Sequence, residues 1–314
     1  MKEKQYILSL SYGKDSLACL EAIKLLGLPL DRIIHAEVWA TDTIPADLPP
    51  MVDFKKKADR IIKERYGIAV EHIAAVERER VLSYEDLFYR EFETGKRCGT
   101  IYGFPFKNGA WCNSRLKTRV LDKLAKADIR ETILSCSEQE KSEKSGNNLR
   151  FSCFCKKRDL VPKAKNDVFL NSPKVQGADT SIVQYLGIAA DEPERIERHS
   201  RPGIILPLVE IGWDEAYCRK WCEENDLLSP IYTDTARGGC WFCHNQSVSQ
   251  LRLLRKNYPD LWKLLLKWDN DSPVSFKPDG HTVHDYDKRF QAEDEGRVPT
   301  DRKFRWKMLK EDEP

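Results

Sequence analysis

The first regular pattern in the chain is a short, mostly apolar segment, Tyr6-Ile7-Leu8-Ser9-Leu10, which reads as a buried strand. Apolar positions then recur at Leu17, Leu20, Ile23, Leu25 and Leu26, the spacing of one helix face. Gly27 stands where a C-terminal cap belongs. The intervening Ser11-Tyr12-Gly13-Lys14-Asp15-Ser16 is therefore a strand-to-helix junction. A second apolar segment over 33–39, a helix over about 51–66 and a short strand over 68–73 continue the alternation. Strand, helix, strand, helix, strand predicts an α/β fold with a parallel sheet, whose ligands bind at the carboxyl ends of the strands. The junction and Thr41-Asp42-Thr43 both fall on that edge.

Further along, the mixed aromatic and charged residues 84–97 read as helical, and 98–106 as a glycine-punctuated loop. A helix over about 114–127 opens with Arg115, Lys117 and Arg119. Cations at that end oppose the helix dipole, so they mark either a held anion or a solvated basic face. Residues of about 128–181 look like an insertion, with a polar, aperiodic stretch at 138–148. Within it, Cys153 and Cys155 beside Lys156, Lys157 and Arg158 read as a short edge strand with surface cations. A strand at about 185–190 runs into charged residues, and another is expected over 202–210. Helices follow over about 214–225, 249–256, 261–268 and 285–291. This divides the chain into a nucleotide-binding α/β domain over 1–237 and a mostly helical, cysteine-containing C-terminal region over 238–314. In the latter, Arg252, Arg255, Lys256, Lys263 and Lys267 read as a solvated basic face.

Composition narrows the partners. With 52 Lys and Arg against 50 Asp and Glu, the formal charge of +2 gives no polyelectrolyte signature, so any basic surface is local. Ten cysteines without a leader-like segment point to a reducing compartment, where thiols serve as metal ligands or catalysts. The longest apolar run, 261–268, is interrupted by lysines and is too short to span a bilayer. A cytoplasmic protein without a membrane partner is expected.

The junction suits phosphate, because free N–H groups and the positive end of the helix dipole point out of it. Gly13 admits close backbone approach, Ser11 and Ser16 donate hydroxyl hydrogen bonds, and Lys14 supplies charge. Asp15 repels phosphate unless a cation lies between, which suggests Mg²⁺. The string is neither a Walker A loop nor a Gly-x-Gly-x-x-Gly loop; a plain capped turn is the bland alternative. Cys240-x-x-Cys243 behind glycines has the form of a metal knuckle and needs two more ligands. Cys112 is the first choice, Cys98 the second, and His244 a substitute. Zn²⁺ and a [4Fe–4S] cluster fit the thiolates equally. Cys218 and Cys222 read as core, and His35 as a structural histidine.

The junction resembles the Ser-x-Gly-Lys-Asp-Ser loop of the phosphoadenosine phosphosulfate (PAPS) reductase family, within the PP-loop ATP pyrophosphatases and the adenine nucleotide alpha-hydrolase-like, Rossmann-like superfamily. Tyr12 replaces the usual first glycine, and Ile44 follows Thr43 where the family has Asp-Thr-Gly near the adenosine. Trp111-Cys112 with Leu116-Lys117, the block around Asp191, Glu192 and Arg195, and Arg237-Gly238-Gly239-Cys240 are similar to further family elements. Ala189 stands where the family often has Arg. The resemblance spans about 5–250 with a gap at the insertion. It implies ATP and Mg²⁺ as cofactors, with Lys14 and Asp15 catalytic. Ser11, Gly13, Ser16, Asp42, Lys117, Glu192, Arg195 and Arg237 would line the nucleotide. The family's Glu-Cys-Gly-Leu-His tail is missing, since no cysteine follows Cys243. Cleavage of ATP to AMP and pyrophosphate, adenylating and then sulfurating an acceptor such as a nucleic acid or a protein, is thus the leading expectation. Cluster-bearing DNA phosphorothioation proteins are the subgroup to compare first. The alternatives are a phosphoadenylyl-sulfate or adenylyl-sulfate reductase, and a non-catalytic nucleotide-binding subunit acting with partner subunits.

Overall fold

A computed structural model describes residues 4–105, 110–121, 181–234 and 238–309. Arg237 and nearly all of the expected insertion lie outside them, as do Cys136, Cys153 and Cys155. The chain forms two compact units, one from Met1–Tyr84 with Asn113–Cys240, the other from Glu85–Cys112 with Trp241–Pro314.

The first unit is α/β. Five parallel strands, β1 (Lys4–Ser9), β2 (Arg32–Glu37), β3 (Val70–Ala74), β4 (Ser181–Tyr185) and β5 (Ile204–Ile205), lie in the order β3-β2-β1-β4-β5. Helices α1 (Lys14–Leu25) and α2 (Pro49–Tyr66) make the crossovers from β1 to β2 and from β2 to β3. From β1 the chain works outward in one direction to β3 and later returns to β1's other side as β4, so the order reverses between β1 and β4. In open parallel sheets that reversal leaves a crevice at the carboxyl ends of the two strands. Register places Leu8 opposite both Ile33 and Tyr185. All three are fully buried, as both faces of a helix-covered parallel sheet require.

Helices α3 (Pro193–His199), α4 (Pro207–Ile211) and α5 (Glu215–Glu224) complete the unit. Leu17, Leu20, Leu208, Trp213, Cys218, Trp221 and Cys222 join one core with the sheet. The strand expected over 202–210 is only two residues long. Pro207, with its fixed φ and no N–H, instead opens α4, so the apolar run that follows is helical. The helix expected from about 114 begins earlier, at Trp111–Asn113, and continues as a π-helical turn over Ser114–Thr118 that carries Arg115 and Lys117.

The second unit holds α6 (Val248–Asn257), α7 (Pro259–Asp271) and α8 (Val283–Asp294). Capping boxes close the first turns of α6 (Ser247 with Gln250) and α8 (Thr282 with Asp285). Trp268 is the centre of its core, stacked on Trp241 at 5.6 Å and on Phe88 at 5.9 Å, with Phe104 against Phe276 nearby. Those contacts explain why residues 85–112, assigned from sequence to the first domain, belong here. Their helix is short, Tyr84–Phe88, and bridges of Glu91 to Ile101 and Phe92 to Cys98 follow. The basic face is largely neutralised, because Arg252 pairs with Glu293 and Arg255 with Asp287 and Asp294. No helix among the described residues is long and apolar enough to cross a membrane.

Candidate functional site

The switch point between β1 and β4 is occupied by the junction itself. After Ser9 the chain turns through 10–13 into α1, whose N-cap, Gly13, is extended and supplies no side-chain cap. Two serines hold the turn. Ser16 Oγ accepts from Ser11 N–H at 3.2 Å and from Ser11 Oγ–H at 3.0 Å, and donates to Gly13 O at 2.9 Å. From another part of the unit, the Tyr232 hydroxyl accepts from Lys14 N–H at 3.3 Å.

Two glycines near this turn differ in what they allow. A Cβ on Gly187, just after β4, would lie 2.6 Å from Ser16 Cα and 2.7 Å from Asp15 O, so the second strand's loop presses directly on the first. A Cβ on Gly13 would meet only Ser11 Oγ and Tyr232 Oη, both at 3.4 Å, which is ordinary contact. Gly187→Ala therefore forces backbone apart and is expected to cost about 1–3 kcal/mol of stability, read as a lowered thermal midpoint. Gly13→Ala is expected to change stability by less than about 1 kcal/mol. If the loop cradles phosphate, the same Gly13→Ala change weakens inorganic pyrophosphate binding at least tenfold in calorimetry.

Charge gathers beside the turn. Lys14 Nζ lies 2.7 Å from Asp15 Oδ1 and 3.3 Å from Glu215 Oε2, and the carboxylates of Asp15, Glu192 and Glu215 converge closely enough to share an ion. Each is placed by the backbone around it. Glu192 accepts from Ala189 N–H at 3.2 Å and from Arg195 Nη1 at 2.6 and 2.7 Å. The Asp191 carboxylate accepts from Glu215 N–H at 3.0 Å and so fixes the start of α5. Burial raises the Asp15 pKa; Lys14 opposes this, while Glu215 and Glu192 add to it. For Lys14, burial works against the ammonium but Asp15 and Glu215 outweigh it, and its pKa is raised. Hard carboxylate oxygens are the donor type that Mg²⁺ takes. Glu215 and Gly187 are the members sequence reasoning missed.

A second polar cluster is buried beneath β2 and β3. Register sets His35 opposite His72. His35 Nδ1 donates to Leu10 O at 2.7 Å, which leaves Nε2 as acceptor for the Lys55 ammonium, also at 2.7 Å. The Lys55 ammonium further donates to Glu37 at 3.0 Å and pairs with Asp47 at 2.6 Å. His72 donates from Nδ1 to Glu37 at 2.8 Å and from Nε2 to Asp59 at 2.9 Å. His35, Glu37 and His72 form a donor set of the kind divalent metals use. Here the Lys55 ammonium stands among those atoms as the cation. Burial, then Lys55, lowers the His35 pKa, so it is neutral, as its role as acceptor requires.

Of the remaining residues named from the sequence, Arg195 reaches the carboxylate group through Glu192, and the others among the described residues do not join it. Asp42 is exposed in the bend after β2, Lys117 is half-buried on the π turn, and Arg195 is exposed. Cys19, Cys218 and Cys222 are buried in the core. Cys98 is exposed and its thiol donates to Glu93 O, while Cys112, Cys240 and Cys243 are half-buried. Among the described residues, neither of the two convergent groups contains a cysteine. Compared with protein families, with curated proteins and with solved structures, the chain gives no match.

Proposed function

We propose that the chain is an ATP pyrophosphatase of the PP-loop type, in the manner of the PAPS reductase family that its junction resembles. The observation that carries this reading is the meeting of Lys14 and the Asp15, Glu192 and Glu215 carboxylates at the uncapped start of α1, on the switch-point edge of the sheet. On this reading the loop backbone with Ser11 and Ser16 binds the β- and γ-phosphates, and the Lys14 ammonium lies against their oxygens. A nucleophile of the acceptor attacks the α-phosphorus. The bond from that phosphorus to the α,β-bridging oxygen breaks, its electron pair leaves with pyrophosphate, and the acceptor becomes adenylated. Mg²⁺, when bound by Asp15 with Glu192 and Glu215, supplies charge neutralisation of the leaving pyrophosphate. The protein's part is to orient the phosphates and to place positive charge where negative charge develops. A sulfide-level sulfur donor that then attacked the adenylated nucleic acid or protein would displace AMP and leave the acceptor thiolated, the sequel that the resemblance suggests.

Sulfonucleotide reduction needs a thiolate nucleophile. Burial pushes the Cys218 thiol up to about 12 and raises those of Cys19 and Cys222 as well, so the thiols nearest the turn among the described residues stay protonated. The test is pyrophosphate release from ATP and Mg²⁺ by anaerobically purified protein, with and without nucleic acid. Release is expected, with AMP or an adenylated acceptor in equal amount. No release under either condition, together with no nucleotide binding, removes the reading; binding without release leaves a nucleotide-binding subunit.

A further inference from the structure

Tyr12 occupies the middle of the phosphate-type turn, yet its side chain is buried among the charged cluster at β2 and β3. Its backbone is left-handed, with φ of 56°, a conformation that costs a bulky residue on the order of 1–2 kcal/mol. Its ring is fully buried and meets His35 edge-on at 4.7 Å, with the Lys55 ammonium 5.4 Å from the ring centre. Its hydroxyl donates to Asp59 and lies 2.9 Å from His72 Nε2. The strained turn and the charged cluster under β2 and β3 are therefore joined through one phenol.

We propose that Tyr12 is a positioning residue, a latch through which the half-buried Asp59 and the buried His72 imidazole hold the turn in its phosphate-ready shape and through which the protonation of His72 reaches that shape. The proposal rests on the phosphate reading above for its ligand, but the latch itself does not. A loop that must collapse around phosphate loses conformational entropy on binding, whereas a loop held open by an internal tie binds with that cost already met. His72 faces Glu37 and His35 from β2, Asp59 from α2, and Tyr12 from the turn, with Lys55 on the far side of His35 and Glu37 and Asp47 beyond it. Burial disfavours its imidazolium, but the hydrogen bonds to Asp59 and Glu37 outweigh this and raise its pKa to about 9. A raised histidine pKa contributes stability that is fully present below the unfolded value near 6.5 and is lost as pH rises through about 9. Above that pH His72 keeps one N–H for two carboxylates, and the Tyr12 and Asp59 contact must rearrange.

The test uses the full chain and its Tyr12→Phe variant, which keeps the ring and removes the hydroxyl. Carbon resonances of Ser11, Gly13 and Ser16 are followed from pH 7 to 10.5, and inorganic pyrophosphate binding is measured by calorimetry at pH 7.5. In the wild type the loop resonances are expected to titrate with a midpoint near 9; in Tyr12→Phe that titration disappears and pyrophosphate binds about tenfold more weakly. A loop titration that persists unchanged in Tyr12→Phe, or is absent from the wild type, overturns the latch. Equal pyrophosphate affinity in the two proteins overturns its role in binding. A wild type that titrates as expected but binds no pyrophosphate overturns the phosphate reading and leaves the tie between His72 and the turn standing. Thermal midpoints of both proteins separate these results from simple misfolding.

Discussion

Asp15→Asn is expected to reduce pyrophosphate release from ATP and Mg²⁺ by about 10²–10³-fold, the scale seen when one preorganised electrostatic group is removed from a charge-developing site. Asn keeps the side chain's size, and Lys14 retains Glu215 as a partner at 3.3 Å, so the turn stays intact. Stability should hold or rise. The Asp15 pKa is raised in the fold, so the native state binds its proton more tightly than the unfolded chain does. Such a group favours folding at low pH, and its contribution is lost as pH climbs from about 3.8 through the folded pKa. At neutral pH the ionised Asp15 is thus a cost that a neutral Asn relieves. Activity falling by two orders of magnitude while the thermal midpoint is unchanged or higher would separate a chemical role from a structural one. A matched fall in both would assign Asp15 to the fold.

Lys55→Met should be the most damaging single change to the fold. Met fills the space of the lysine stem but leaves Asp47 without this ion-pair partner and Glu37 with only the His72 imidazolium, and it takes the hydrogen bond from His35 Nε2. Removing one partner of a buried ion pair costs about 3–5 kcal/mol, so the unfolding midpoint of the first unit is expected to fall by on the order of 10 °C. The pH response should also weaken. Burial opposes ionisation of Glu37, but Lys55 with the histidines outweighs it and holds the pKa well below the usual value. Its stabilisation is present above about 4.5 and is lost as pH falls through the folded value. Without Lys55 only the histidines oppose the burial cost, so the Glu37 pKa rises and acid destabilises the variant less than it does the wild type. Denaturant melts of both proteins at pH 5 and pH 7 check the difference.

What was legible in the sequence follows from what is local. The change from a short apolar run to helical spacing between Tyr6 and Leu26 marks β1, the turn and α1, and the same alternation marks β2, α2 and β3. His35 reads as a structural histidine because a single imidazole in an apolar strand needs internal partners, and its partners Leu10 and Lys55 supply them. Pairings across long separations were hidden. The tie from Tyr12 to Asp59 spans 47 residues and the contact of Lys14 with Glu215 about 200, so no spacing rule reaches either. Gly187 sits in a strand-like run, and only the neighbouring turn shows why a side chain is excluded. Over 204–211 the apolar pattern fits strand and helix alike, and Pro207 decides it. For the cysteines, short spacing defines a knuckle but says nothing of which distant thiol joins it.

The second unit's discontinuity matters while the chain is being made. Leu87, Phe88 and Phe104 emerge from the ribosome long before Trp241, Trp268 and Phe276, the rings that cover them. At roughly 5–20 residues per second, the intervening segment delays that cover by on the order of ten seconds. During that interval a strip of naked aromatic surface is presented to every other nascent chain and chaperone in reach. A truncation after residue 240 would make the interval permanent, so a shortened gene product should be recovered as aggregate or as a chaperone client.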